Sequence, residues 1–138
     1  MINSAMPRGV VIPELAYADV KEAADWLCDR FGFTLRFRFG DHRAQLNIGD
    51  GGAMVVTKSA NGSHHDDRHA VMVRIDDVNR HHAHAVARDV RVLSAPQDFP
   101  YGERQYSAVD LGGHHWTFTQ SIADFDPRSF GAVVGTLG

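Results

Sequence analysis

The chain has 138 residues, room for one domain with a substantial core but not for two independent ones. Hydrophobic residues make up 43% and charged residues 22%, an ordinary balance for a globular protein. The net charge is −3 with no cluster of Lys and Arg, and no apolar run is long enough to span a bilayer, so nucleic-acid and membrane partners are not expected.

The first apolar stretch is "VVIPELAY" (residues 10–17), read as a strand. Asp19 follows as a helix N-cap, with Glu22 three residues on in a capping-box arrangement. Val20, Ala23, Ala24, Leu27 and Phe31 then form one helical stripe, and Gly32 sits where a terminating glycine belongs. "FTLRFRF" alternates and predicts a strand with Phe33, Leu35, Phe37 and Phe39 on one, mostly core, face. "HRAQLNI" is a second alternating strand, and Asp50-Gly51-Gly52 is a turn into a third, "AMVVT".

The polar stretch "KSANGSHHDDR" reads as a linker over residues 58–68. Strand "HAVMVRI" and a helix capped by Asp77 follow. "VRVLSAPQDFP" is an irregular strand that Pro96 and Pro100 assign to a sheet edge. "RQYSAVD", a turn at Leu111-Gly112-Gly113 and strand "HHWTFTQ" complete the second half, and Asp126-Pro127 begins a single helical turn in the tail. The lone cysteine, Cys28, excludes an intrachain disulfide and fits a reducing cytoplasm. "MINSAMPRG" has neither the basic nor the apolar region of a signal peptide. A cytoplasmic location is the expectation.

The two halves repeat each other. "YADVKEAADWL" aligns with "IDDVNRHHAHA" at a shift of 58 residues, and "IGDGGAMVVT" echoes "VDLGGHHWTFT" at a shift of 61. Each half reads β-α-β-β-β, so the expected fold is α+β: two modules, about 10–57 and 69–120, followed by a tail over 121–138. A doubled unit of this kind implies a pseudo-twofold domain with a cleft between its halves.

"ELAYADVKEAADWLCDRFGF", "VRIDDV" and above all "PYGERQYSAVDLGGHHWTFTQ" resemble the vicinal oxygen chelate superfamily of glyoxalase, bleomycin resistance and extradiol dioxygenase proteins. The resemblance implies paired half-barrels around a cleft and a homodimer. It also implies where metal-dependent members carry ligands: seven residues before the helix-capping Asp, and four after the turn glycine. Here those positions are Ile12 and Ala70, and Val56 and Thr117. None offers the imidazole, carboxylate or thiolate that a divalent metal needs, so neither metal nor cofactor is expected. His69 lies one residue from a ligand position but has the parity of Val71, Val73 and Ile75, which face the helix.

The same resemblance implies a binding protein like those of bleomycin resistance, taking a small apolar or aromatic molecule into the cleft, with antibiotic sequestration as its use. The alternative is a divergent metal-dependent lyase, isomerase or dioxygenase drawing ligands from the other histidines. His81 and His84 share a helix face, His64 to Asp67 form an "HHDD" loop, and His115 has cleft parity. Glu14 has the parity of Ile12 and is a candidate base, or the partner of Arg74 in an ion pair across the pseudo-twofold. Expected ligand contacts are Glu14, Met54, Met72, Arg74, Tyr101, His115 and Thr117, with Arg38 and Arg104 at the margin. Arg104 has a second reading, as an anchor for Asp110 or the tail.

Overall fold

Both expected helices begin where a short polar side chain satisfies a free backbone donor. In the computed structural model, which describes residues 1–60 and 69–135, the Asp19 carboxylate accepts from Glu22 N at the start of α1 (Val20–Phe31). Asp77 accepts from Arg80 N at the start of α2 (Val78–Ala87). Gly32 closes α1 in the left-handed conformation, φ 79°, and its N–H bonds the Cys28 carbonyl.

The first sheet contains β1 (Glu14–Tyr17), β2 (Thr34–Phe39), β3 (Arg43–Ile48) and β4 (Gly52–Lys58) in the order β1-β4-β3-β2. The second contains β5 (Ala70–Arg74), β6 (Arg91–Phe99), β7 (Glu103–Val109) and β8 (His115–Ser121) in the order β5-β8-β7-β6. The halves are thus built alike: β1 runs parallel to β4 and β5 parallel to β8, with the other pairs antiparallel. Strand β6 lies at a sheet edge, the position its Pro96 requires. A 3-10 turn at Pro127–Phe130, capped by Asp126, is the expected turn of the tail. The linker's central residues, including His64, His65, Asp66 and Asp67, lie outside the described residues.

Each helix covers one face of its own sheet, and the two covered faces share a single core. The α1 stripe packs with Tyr17, Leu46, Met54 and Val56 from the first sheet and with Tyr106, Trp116 and Phe118 from the second. Phe31, at the end of α1, is the hub. Its ring meets Trp26 and Phe33 on its own side and His81, Trp116 and Phe118 on the other. Burial of one such aromatic side chain stabilises the fold by roughly 2–3 kcal/mol.

Three sequence expectations need correction. Strand β1 begins at Glu14, not at Val10, and leaves Val10 and Val11 exposed. In β2 a register shift between Leu35 and Phe37 breaks the apparently perfect alternation. Phe33 is buried, but Leu35 and Phe39 are exposed, and Arg38 lies opposite Ala44 on the helix side. In β4 the register is one residue off: Val56 pairs with Leu15 and lies in the core, with Met54 on the same face.

Candidate functional site

Side chains along a strand alternate between faces, so the core-lining residues fix which ones point the other way. In the second sheet, Val73, Tyr106, Ala108, Trp116 and Phe118 face the helices. The opposite, open face therefore carries Ala70, Met72 and Arg74 on β5, His115 and Thr117 on β8, and Gln105 and Ser107 on β7, with Thr119 on the same side but buried.

The floor of this face is a polar ladder in two separate runs. Ser107 and Thr117 share a hydroxyl–hydroxyl hydrogen bond of 3.2 Å. The Gln105 amide donates to Thr119 Oγ1 at 3.1 Å, and Thr119 Oγ1 donates to Glu103 Oε1 at 2.7 Å. Hydrogen bonds from Ser121 and Thr119, with help from the Arg74 charge, hold the Glu103 carboxyl below its usual range, so the ladder ends on an ionised acceptor. Beside it the Tyr101 hydroxyl donates to Gln105 Oε1 at 3.3 Å, and its ring stacks on Phe99 with centroids 5.4 Å apart. Met72, 62% exposed, stands on the far side of β8. A flat molecule laid here meets hydroxyl and amide groups beneath, an aromatic pair at one end and a deformable thioether at the other.

Strands β1 and β5, each an edge strand of its sheet, border a common seam. A groove of about 400 Å³ there is lined by Pro13, Glu14 and Leu15 from one side and His69, Ala70, Val71, His114 and His115 from the other. The seam is locked from below by Asp110, whose buried carboxylate accepts from Tyr17 Oη (2.5 Å), Trp116 Nε1 (2.9 Å), Gly112 N (2.9 Å) and His114 N (3.0 Å). Burial and the Asp110 charge push the Tyr17 hydroxyl far above its ordinary pKa, so it stays a donor. A Cβ at Gly112 would lie 2.7 Å from the Tyr17 ring, which explains the glycine. His114 completes the lock: its Nε2 bonds the Ala16 carbonyl at 2.8 Å.

The expected ligand contacts divide accordingly. Met72, Arg74, His115 and Thr117 share the open face of the second sheet, Tyr101 stands at its rim, and Glu14 lies across the seam. Among the described residues no ion pair joins Glu14 to Arg74. Three candidates lie elsewhere. Met54 is fully buried in the core, Arg38 points to the helix side, and Arg104 pairs with Asp98 at 2.7 Å on the face opposite Gln105. Arg104 therefore does not anchor Asp110. Glu103, Gln105 and Ser107, at every second position of "ERQYSAV", and Thr119 on β8 are functional-face residues beyond the sequence candidates.

The helix histidines are not arranged as a chelate. His81 Nε2 donates to the Phe31 carbonyl at 2.9 Å while its Nδ1 accepts from the Tyr106 hydroxyl, and His84 Nε2 bonds the Asp29 carbonyl at 2.8 Å. They cap the free carbonyls at the end of α1 and pin the modules together.

The metal-ligand positions also need one correction. Gly51 and Gly113 are the equivalent turn residues, both left-handed with φ 84° and 83°, whereas Gly52 is not. Four residues beyond Gly51 is Val55, which faces away from α1 and pairs with Glu14 as Thr117 pairs with Met72. The four positions are thus Ile12, Val55, Ala70 and Thr117, with Ile12 lying before β1 begins. Their side chains do not fit a divalent metal. Among the described residues no group of three or more His, Cys, Asp or Glu side chains is placed to hold one. No helix among them is long and apolar enough to cross a membrane.

The family model described as Glyoxalase/Bleomycin resistance protein/Dioxygenase superfamily matches residues 9–118. TioX from Micromonospora sp. ML1 is similar in structure, with a TM-score of 0.69 and 34% identity, over 93% of this chain and 100% of that one. A glyoxalase/bleomycin resistance protein/dioxygenase from Nocardioides gives a TM-score of 0.63 at 18% identity, over 94% and 91% of the two chains. A possible glyoxalase from Bacillus cereus gives 0.61 at 19% identity, over 80% and 98%. The last two show likeness of fold alone. No curated protein matches the chain at a significant level.

Proposed function

Because the chain belongs to the glyoxalase/bleomycin resistance protein/dioxygenase superfamily, we propose that it binds a flat, partly polar aromatic molecule on the open face of its second sheet, without a metal. The observation that carries this reading is the gathering of Met72, the Ser107–Thr117 and Gln105–Thr119 ladder and the Phe99–Tyr101 stack on one face that neither α1 nor α2 covers. Such a surface buries an aromatic plate while fixing its orientation through a few hydrogen bonds, the usual recipe of a small-molecule site. Sequestration of an antibiotic needs nothing more than this. A homodimer in which a second copy roofs the open face would enclose the ligand, and the same proposal includes it.

Donor chemistry favours this reading over a metal-dependent lyase, isomerase or dioxygenase, since hydrocarbon side chains and one threonine stand at the four metal-ligand positions. The test is a thermal-shift screen of planar aromatic natural products. Hits should raise the melting temperature of the native chain. Tyr101→Ala and Met72→Ala should each weaken a hit about tenfold, equivalent to about 1.4 kcal/mol. Arg104→Ala, on the opposite face, should leave it unchanged. Hits insensitive to both open-face substitutions would refute the site.

A further inference from the structure

The open face of the first sheet is not open. Gln45 and Val55 point away from α1, yet each is only 1% exposed. The chain's own leading segment lies against Gln45 and its neighbour Arg36. Gln45 Nε2 donates to the Ala5 carbonyl at 2.8 Å, and Arg36 Nη2 donates to the Ser4 carbonyl at 2.9 Å while its Nη1 bonds Gln45 Oε1. The segment is folded back by Asn3, whose side chain accepts from Ala5 N at 2.9 Å and whose carbonyl accepts from Met6 N at 3.1 Å.

Strand register identifies the covered spot. Val55 pairs with Glu14 and with Gln45, as Thr117 pairs with Met72 and with Ser107. Gln45 and Val55 are therefore the pseudo-twofold equivalents of Ser107 and Thr117, the centre of the polar ladder on the second sheet. In the second module that centre is half-exposed. In the first, Gln45 holds the Ala5 carbonyl and the adjacent Arg36 holds the Ser4 carbonyl.

We propose that residues 1–8 are a built-in plug: they occupy a second ligand face on the first module, and releasing them opens it. The face beneath would take an aromatic molecule bearing an anionic or carbonyl acceptor. The acceptor would replace the Ser4 and Ala5 carbonyls at Arg36 and Gln45, and the ring would lie on Val55. The plug suits release, because its hydrogen bonds to Arg36 and Gln45 run through its own backbone carbonyls while Met1, Ile2 and Met6 are exposed. Each such bond contributes only about 0.5–1.5 kcal/mol net.

This inference rests on reading the open faces as ligand faces, but it is read out at Gln45 and Val55. Its failure leaves binding at Thr117 untouched. The experiment titrates anilinonaphthalene sulfonate, an anionic aromatic probe, into the full chain and into a chain lacking residues 1–8, followed by nitrogen–proton correlation spectra. In the truncated chain the Gln45 side-chain amide and the Val55 backbone amide should shift to saturation at one added probe per chain; in the full chain they should stay fixed. Stationary signals in the truncated chain, or equal shifts in both, would overturn the plug. If the truncated chain does not fold, the full-length Asn3→Gly, Ala5→Pro variant, which breaks the turn but leaves the sheet intact, decides by the same criterion.

Discussion

At the scale of single residues, Asp110 does most to join the halves. A buried carboxylate is tolerable only when its lone pairs are met, and here four donors from both modules meet them. Tyr17→Phe removes one donor from a charged, buried acceptor. It should cost about 1.5–3 kcal/mol in urea unfolding, and a loss below about 0.5 kcal/mol would contradict the lock. His81 makes a prediction of opposite chemistry. Burial pushes its pKa below 6.5, against a smaller upward pull from the Phe31 carbonyl, with neighbouring His84 also lowering it. Asp29, Arg30 and Arg88 at the helix junction, and Asp76, Asp77 and Arg80 lining the same pocket as His81, are other charged groups nearby. The folded state thus prefers neutral His81, so its contribution to stability is complete above pH 6.5 and declines as acid protonates the unfolded chain first. Melting temperature should fall between pH 6.5 and 5, and His81→Gln should flatten that dependence. A His81→Gln profile parallel to that of the native chain would refute the assignment.

At the scale of elements, what was legible in the sequence is what local chemistry decides. Asp19 and Asp77 announce their helices because a capping side chain reaches only three residues ahead. Pro96 announces an edge strand because it lacks a donor. The register of β4 was not legible: two adjacent glycines, Gly51 and Gly52, offer alternative turn positions, and only the left-handed φ of Gly51 chooses between them. One residue of slip exchanges the faces of a strand, which is how Met54 and Val56 were placed in the cleft. The shift in β2 was equally hidden, since "FTLRFRF" alternates without a flaw. A pair of substitutions tests the corrected register. Val56→Thr buries a hydroxyl beneath α1 and should cost about 1–3 kcal/mol. Ala53→Thr, at a half-buried position of the same strand that points away from α1, should cost no more than about 1 kcal/mol. Equal costs would contradict the pairing of Val56 with Leu15.

At the scale of the whole molecule, both helices and the shared core lie on one side, which leaves two sheet faces for function. Sequence pattern implied that doubling, but not its asymmetry. The leading segment has no periodicity to mark it as part of the first sheet's surface, and the Tyr17–Asp110 contact spans 93 positions. The halves share an architecture and differ in what lies on it: the leading segment bonded to Arg36 and Gln45 on one, a polar ladder at Ser107 and Thr117 on the other. Neither presents metal-binding side chains at the superfamily's ligand positions, so the account rests on recognition by shape, hydrogen bonding and aromatic contact. The most direct test is the metal content of protein purified without a histidine tag, measured by mass spectrometry alongside the thermal-shift screen. The account predicts far less than one equivalent of zinc, nickel, iron or manganese, and aromatic hits that survive a chelator. One equivalent of any of these metals, with stabilisation by the hits lost when it is removed, would contradict it.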